Sequence, residues 1–325
     1  MAEKVLMKGN EAIGEAAVRA GCRYYFGYPI TPQSELPAYL SKRLPEVEGV
    51  FVQAESEVAA INMVYGAGSA GARVMTSSSS PGVSLKQEGI SYIAGAEIPC
   101  LLVNVVRGGP GLGNIAPAQS DYWQATRGGG HGDYRTLVLA PNSVQEMADM
   151  TVAGFEFADR FRNPVLLLSD GVLGQMMEPV TLPDPIDYDV NSKKWALGYK
   201  GKDKSERNLC TSIFLDVDEL EEHNWHLYQK YQVMTDLFSK GEYKDFAVEE
   251  HLCDDAEIIL VGYGIISRIL KTVVEKCRKR GIKAGLVRPK VLWPFPSQVF
   301  ERLQQTTNNF LVVEMSCGQM VEDVK

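Results

Sequence analysis

Three side chains occupy places where an α/β protein can bind a ligand. Arg107 directly follows the apolar run IPCLLVNVV, Glu57 starts the helical pattern EVAA, and Thr31 precedes a proline. An arginine at a strand end can bind a carboxylate with two parallel hydrogen bonds. Each residue also has a purely structural explanation. Arg107 can be a solvated charge at a strand end, Glu57 a first-turn acid that complements the helix dipole, and Thr31 a helix N-cap. The residues alone leave both alternatives open.

The elements around these side chains alternate between strand-like and helix-like runs over the first 180 residues. Strands are predicted at 24–28, 49–53, 72–76, 98–106, 136–139 and 164–168. Helices are predicted at 10–19, 31–42 (with Thr31 as N-cap and Pro32 as first residue), 56–68, 82–95 and 143–161. Apolar strands separated by helices predict an α/β fold with a parallel sheet covered on both faces. Ligands bind beyond the carboxyl ends of such strands, which directs attention to the loops 28–33, 54–57, 76–82 and 107–133.

The chain divides into three parts. We predict a first α/β domain over 1–182, a charged and mostly helical connection over 183–250, and a smaller α/β domain over 251–325. In the last part, strands are predicted at 257–261, 282–287 and 310–313, and helices at 267–280 and 296–305. So small a sheet has an open edge that favours pairing with another chain. Because the chain stops soon after Cys317, we expect this domain to lack about one helix, through truncation or because a partner covers the edge.

Composition argues against several classes of protein. The 325 residues are 45% apolar and 23% charged, which is typical of a globular protein. The net charge of −8 argues against a nucleic-acid-binding surface. Neither a membrane-spanning run nor a secretory signal is found, so we expect a cytoplasmic protein that does not associate with membranes. The six cysteines are scattered, which argues against iron–sulfur or zinc sites and predicts reduced thiols.

Familiar nucleotide and hydrolase motifs are missing or incomplete. Gly111-x-Gly113 is followed by Pro117, which interrupts an early helix, and the strand after Gly262-x-Gly264 leads to Arg288 rather than to an acid. A nicotinamide-dependent dehydrogenase is therefore disfavoured. Without a G-x-S-x-G elbow, the serine run 77–80 is predicted to be a polar loop that can line a pocket.

The ordered motifs together resemble one family, the 2-oxoacid:ferredoxin oxidoreductases. Residues 28–35, YPITPQSE, resemble its signature YPITPSSE and differ only at Gln33. Four further motifs follow in the family's order: QAESE, the 76–82 loop, RGGP and HGD. The segments in the last part of the chain resemble the family's transketolase C-terminal-like domain. The resemblance covers nearly the whole chain except 183–250. It implies a thiamine-enzyme-like fold, with 1–182 as the pyrimidine-binding domain and 251–325 as domain II.

The resemblance also implies an activity and roles for six residues. Glu57 matches the glutamate that hydrogen-bonds N1′ of the thiamine diphosphate aminopyrimidine. Arg107 matches the arginine that orients the substrate carboxylate, and Thr31 matches the residue whose hydroxyl lies beside that arginine. Further cofactor-binding residues implied are Pro29, Ile30 and Ser79. The segments AESEVAAINMVYGA, SSSSPG and GGPGLGN look closest to the branched-chain type. That enzyme converts 3-methyl-2-oxobutanoate (2-ketoisovalerate) and coenzyme A to acyl-CoA, CO2 and reduced ferredoxin.

Departures from the family imply that this chain carries only part of the active site. The family's GDG motif for Mg²⁺ and diphosphate is reduced to Ser169-Asp170-Gly171 and Gly132-Asp133-Tyr134. We therefore expect no metal in this chain. A thiamine-diphosphate-binding subunit would hold Mg²⁺ and diphosphate, and a ferredoxin-like iron–sulfur subunit would pass electrons to ferredoxin, in a hetero-oligomer.

Two alternatives remain. A 2-oxoglutarate enzyme would need a second cation, for which Arg127 and Lys86 are candidates. A non-catalytic scaffold is the other, and the presence of both Glu57 and Arg107 argues against it.

Overall fold

The computed structural model describes residues 4–201 and 207–325, which form three β-sheets surrounded by helices. The strands are β1 (Lys4–Lys8), β2 (Tyr24–Gly27), β3 (Val50–Gln53), β4 (Val74–Ser78), β5 (Cys100–Val106), β6 (Leu137–Leu139), β7 (Pro164–Asp170), β8 (Met177–Thr181), β9 (Val248–His251), β10 (Ile258–Val261), β11 (Ala284–Pro289), β12 (Val291–Trp293) and β13 (Phe310–Val312). The helices are α1 (Gly9–Arg19), α2 (Glu35–Glu46), α3 (Glu57–Ser69), α4 (Ser80–Gly95), α5 (Tyr122–Arg127), α6 (Val144–Phe161), α7 (Gly171–Gln175), α8 (Val217–Ser239), α9 (Lys244–Ala247), α10 (Gly264–Lys279), α11 (Ser297–Leu303) and α12 (Val321–Val324).

The largest sheet has seven strands in the order β12-β6-β7-β5-β4-β2-β3. Every neighbouring pair is parallel except β12 with β6. Alternate residues of β5 enter two apolar clusters, with Leu101 and Val103 in one and Cys100 and Leu102 in the other. Since successive side chains of a strand point to opposite faces, both faces of the sheet are covered. The predicted parallel α/β fold is confirmed.

A second sheet, β13-β10-β11-β9, is formed near the end of the chain, with β9 antiparallel to β11. β12 leaves this unit and pairs with β6 of the first sheet. The buried guanidinium of Arg288 forms ion pairs with Glu146 on α6 and Glu249 on β9. The two sheets are therefore linked by a strand and by a buried ion pair, and the domain boundaries stay a prediction.

Several predicted elements are shifted. The helix expected to begin at Pro32, with Thr31 as its N-cap, begins at Glu35, because the carbonyls of Thr31 and Pro32 accept side-chain hydrogen bonds instead of helical ones. In the connection, α8 and α9 are helical, but the described residues 183–201 and 207–216 contain only a short 3-10 turn, at 190–192. The antiparallel pair of β1 with β8 was not predicted.

Two general features of the described residues bear on the sequence-based expectations. No helix in the described ranges is long and apolar enough to cross a lipid bilayer. All six cysteines are free thiols, and three of them are buried: Cys22, Cys100 and Cys253.

Candidate active site

Four loops singled out from the sequence start at the same edge of the large sheet. β3, β2, β4 and β5 lie side by side and run parallel, so their carboxyl ends share one edge. Glu57 follows β3, the 28–34 loop follows β2, Ser79 follows β4 and Arg107 follows β5. This edge is where an open parallel sheet binds its ligands.

Glu57 is the first residue of α3 and presents a buried carboxylate without a partner. The helix is capped by Ser56, whose hydroxyl accepts a hydrogen bond from the Ala59 amide at 3.2 Å. Glu57 is only 5% exposed, and none of the described residues donates a hydrogen bond to its carboxylate. A Cβ on Gly82 would lie 2.5 Å from Glu57 Oε1, so the glycine admits the carboxylate against the first turns of α4.

The start of α4, which lies against this carboxylate at Gly82, also forms hydrogen bonds with the backbone of Arg107. The Ser80 hydroxyl accepts from the Arg107 amide at 3.0 Å and donates to the Arg107 carbonyl at 3.2 Å. The Ser80 amide donates to Asn104 Oδ1 at 3.0 Å. This hydrogen bond stabilises the Ser80 backbone, whose φ is positive at 23°. The hydroxyls of Ser78 and Ser79 are buried and have no hydrogen-bond partner. The Ser78 hydroxyl and Glu57 Oε1 both approach Gly82 closely, so buried polar atoms with unused hydrogen-bonding capacity, which a polar ligand could satisfy, come together here.

Arg107 joins two loops around the site. Its guanidinium donates from Nη1 to the Thr31 carbonyl at 3.0 Å and from Nη2 to the Leu112 carbonyl at 3.1 Å. The residue is 9% exposed, and its Nε is buried without a partner. Because a guanidinium has five N–H donors, the remaining ones can bind a carboxylate.

The 28–35 loop is held by a buried residue that the sequence marked only as a departure from the signature. Gln33 is fully buried, and its Oε1 accepts from the Ser77 hydroxyl at 2.5 Å. Ser77 is in turn 2.7 Å from the Tyr25 hydroxyl, whose pKa is raised by burial. On the same loop, Thr31 and Pro29 are exposed and Ile30 is half-buried. The Thr31 backbone contacts Arg107, whereas roles for the side chains of these three residues stay predictions.

Arg127 and Lys86, the two cations considered for a second substrate carboxylate, are both engaged with other groups of the chain. Arg127 pairs with Asp323 through both of its terminal nitrogens, at 3.1 Å each. The ammonium of Lys86 is fully buried and donates to Thr76 Oγ1 at 2.7 Å and to the Ser77 carbonyl at 3.0 Å. Burial lowers the pKa of Lys86 to about 7, and the negative charge of Glu57 opposes that shift.

The residues at this edge fit one end of a thiamine cofactor and a 2-oxoacid. An unpaired carboxylate can hydrogen-bond a ring nitrogen, and the free Arg107 donors suit a carboxylate. For the metal and diphosphate end, Asp170 offers little, since its Oδ1 accepts from the Val172 and Leu173 amides and caps α7. The described residues contain no group of three or more His, Cys, Asp or Glu side chains that could hold a metal ion.

Comparisons with known proteins agree on one family. Residues 15–238 match the model "Pyruvate flavodoxin/ferredoxin oxidoreductase, thiamine diP-bdg", and residues 256–325 match "Pyruvate:ferredoxin oxidoreductase core domain II". Ketoisovalerate oxidoreductase subunit VorB of Methanothermobacter marburgensis is 54% identical over 98% of this chain and 88% of its own. The 2-oxoglutarate synthase subunit KorA of Archaeoglobus fulgidus is 38% identical over 99% of this chain and 91% of its own.

A solved structure has the same fold. The 2-oxoglutarate:ferredoxin oxidoreductase from Magnetococcus marinus, with 2-oxoglutarate, coenzyme A and succinyl-CoA bound, matches with a TM-score of 0.87 and 27% identity. The match covers 99% of this chain and 60% of that chain. The family resemblance inferred from the motifs is confirmed: the chain belongs to the pyruvate flavodoxin/ferredoxin oxidoreductase family.

Proposed function

We propose that this chain is the pyrimidine-binding and domain II subunit of a 2-oxoacid:ferredoxin oxidoreductase that acts on 3-methyl-2-oxobutanoate. The observation that carries the proposal is the buried, unpaired carboxylate of Glu57, which lies against Gly82 in the first turn of α4, where the Ser80 hydroxyl also binds the Arg107 backbone. The substrate class is supported by the identity of 54% to a ketoisovalerate oxidoreductase subunit. The products would be CO2, an acyl-CoA formed with coenzyme A, and reduced ferredoxin.

The residues of this chain would bind and orient the reactants. When bound, thiamine diphosphate supplies the electron sink for decarboxylation. Glu57 would hold a proton between its carboxylate and the pyrimidine N1′, and Ser79, Pro29 and Ile30 would line the pyrimidine. Arg107 would orient the substrate carboxylate through its unused donors, with Thr31 beside it. Burial strengthens both interactions, because a water-poor site lowers the effective dielectric.

Other subunits would complete the site. A thiamine-diphosphate-binding subunit would hold Mg²⁺ and diphosphate, since Asp170 is engaged as a helix cap. A ferredoxin-like subunit with iron–sulfur clusters would take the electrons singly and pass them to ferredoxin.

The substrate preference separates this proposal from the 2-oxoglutarate alternative. A dicarboxylate brings a second charge that needs a cation once water is excluded. Arg127 is paired with Asp323, and Lys86 donates to Thr76 and to the Ser77 carbonyl. These pairings favour a substrate with an apolar side chain.

The test is an anaerobic assay of the native complex that contains this chain. Coenzyme A-dependent reduction of a one-electron dye is followed with 3-methyl-2-oxobutanoate, 2-oxoglutarate and pyruvate in parallel. We expect the highest kcat/KM with the branched substrate. A preference for 2-oxoglutarate would overturn the substrate assignment. Inactivity with all three in a complex that retains its cofactors would also overturn it and would mean a different 2-oxoacid or the scaffold alternative.

A further inference from the structure

Lys86 is a buried cation at the site that the proposed reaction leaves without a role. It is 1% exposed and lies on α4, one helical turn after Gly82. Residues four apart on a helix share a face, and Gly82 is the position whose Cβ would meet Glu57 Oε1. Lys86 therefore lies on the face of α4 that is turned to Glu57.

The surroundings of the Lys86 ammonium are neutral except for Glu57. β4 contributes the Thr76 hydroxyl and the Ser77 carbonyl as hydrogen-bond acceptors. The cavity beside the lysine is lined by the Ser78 hydroxyl and by apolar side chains of α4, β5 and β7: Val83, Ile90, Leu102, Val103 and Leu166. Among the described residues, the charge that acts on Lys86 is the carboxylate of Glu57 on α3. The described part of the chain places no carboxylate within ion-pair distance of the ammonium.

A purely structural role does not explain a lysine at this position. Methionine would fill a similar volume without a charge to desolvate, and buried charges without an ion pair are rare. The ammonium makes two hydrogen bonds with its three N–H donors, both to neutral oxygens. Burial depresses the pKa of Lys86 to about 7, so the buried lysine costs folding free energy that a methionine would not.

We propose that Lys86 is a positioning residue that supplies the counter-charge to the Glu57 carboxylate and so strengthens binding of the aminopyrimidine at this site. The inference rests on the proposed function of Glu57. Opposite charges in a buried site stabilise each other's charged form.

The test compares the Lys86→Met and Lys193→Met variants in the native complex. Lys193 is also a buried lysine, but it pairs with Asp159 at 2.5 Å and is not part of the site. The dissociation constant of thiamine diphosphate is measured against pH in the cofactor-free complex by tryptophan fluorescence. Exchange of the thiazolium C2 proton into deuterated water gives a second readout that does not depend on turnover.

We expect thiamine diphosphate to bind about tenfold more weakly to Lys86→Met than to the parent, and C2 exchange to slow about tenfold. Lys193→Met should follow the parent curve. Lys86→Gln, which keeps a hydrogen-bond donor without the charge, should behave like Lys86→Met and serves if the methionine variant does not fold. Parent-like curves for both Lys86 variants would overturn the proposal.

The Glu57→Gln background separates this inference from the proposed function. In that background Lys86→Met should cause no further shift in either readout. Should Glu57→Gln itself leave cofactor binding and C2 exchange unchanged, the role of Glu57 and the proposal for Lys86 both fail. If Glu57→Gln is impaired while the Lys86 variants match the parent, only the role of Lys86 is refuted.

Discussion

Replacement of Glu57 by glutamine is the most direct test of the site. The substitution keeps the shape of the side chain and removes its charge and its capacity to hold a proton. Because none of the described residues donates a hydrogen bond to the carboxylate, the change breaks no side-chain contact of that kind within the chain. The favourable interaction of a first-turn acid with the α3 dipole is lost, which costs about 0.3–1 kcal/mol of unfolding free energy.

The effect on turnover should be far larger than the effect on stability. General acid–base groups contribute about 10²–10⁴-fold to rate. The next carboxylate in sequence, Glu55, is exposed and does not share the buried position of Glu57. We therefore expect kcat to fall by about 10²–10⁴-fold, equivalent to about 3–5 kcal/mol of barrier. Glu55→Gln is the matched control, because it removes a carboxylate from the same loop without touching the buried site.

The assay is coenzyme A-dependent dye reduction by the complex, with thermal unfolding measured on the same preparations. Glu57→Gln should keep the parent unfolding temperature to within a few degrees, and Glu55→Gln should keep both stability and activity. Near-normal turnover in a folded Glu57→Gln complex would refute the assignment of Glu57. A loss of activity equal in both variants would show that the effect comes from the loop rather than from the buried carboxylate.

Three further substitutions test the frame around this carboxylate. Arg107→Ala should raise KM for the 2-oxoacid about 10–100-fold, because it removes a charge-assisted hydrogen bond to the substrate carboxylate. An unchanged KM in steady-state kinetics would place the carboxylate site elsewhere. Gly82→Ala would put a Cβ 2.5 Å from Glu57 Oε1 and should cut kcat about 100-fold, whereas Gly66→Ala on α3, with nothing within 4 Å, should keep full activity in the same assay. In the parent, burial lowers the pKa of Lys86 from 10.5 to about 7. Between about pH 7 and pH 10.5 the unfolded chain therefore binds more protons than the folded chain, so the free energy of unfolding rises with pH in this range. In denaturant unfolding, the free energy of unfolding of Lys86→Met should rise less steeply with pH than that of the parent. An equal slope in both proteins would contradict a buried charge at Lys86.

The strands of the large sheet could be predicted because their sequences are nearly continuous apolar runs. β5 and β7 are buried along their whole length, as expected for parallel strands covered on both faces. Short strands whose partners are distant in sequence were missed. β1 pairs with β8 more than 160 residues later, and β12 crosses to β6 of the other sheet. Their pairing depends on tertiary contacts that a local pattern does not contain.

The site was predictable at its strand ends and less so at its loops. Arg107 follows a strongly apolar strand and Glu57 begins a helix directly after another strand, so their places at the carboxyl edge follow from topology. The error at Thr31 has a tertiary cause, since Arg107 takes the carbonyl that a helix would have used. Gln33 and Ser80 were not singled out as site residues, because their importance lies in hydrogen bonds to residues 44 and 27 positions away.

The distribution of charge gives a last reason to expect a monocarboxylate substrate. Arg107 has unused donors at the strand edge, and they can satisfy one carboxylate. Arg127 is bound by two oxygens of Asp323, and these pairs would have to break before it could bind a second carboxylate. The loop that Arg107 holds carries instead two exposed apolar side chains, Leu112 at 82% and Ile115 at 64%. A branched aliphatic side chain gains by covering such a surface, whereas a second carboxylate would be desolvated there without a partner.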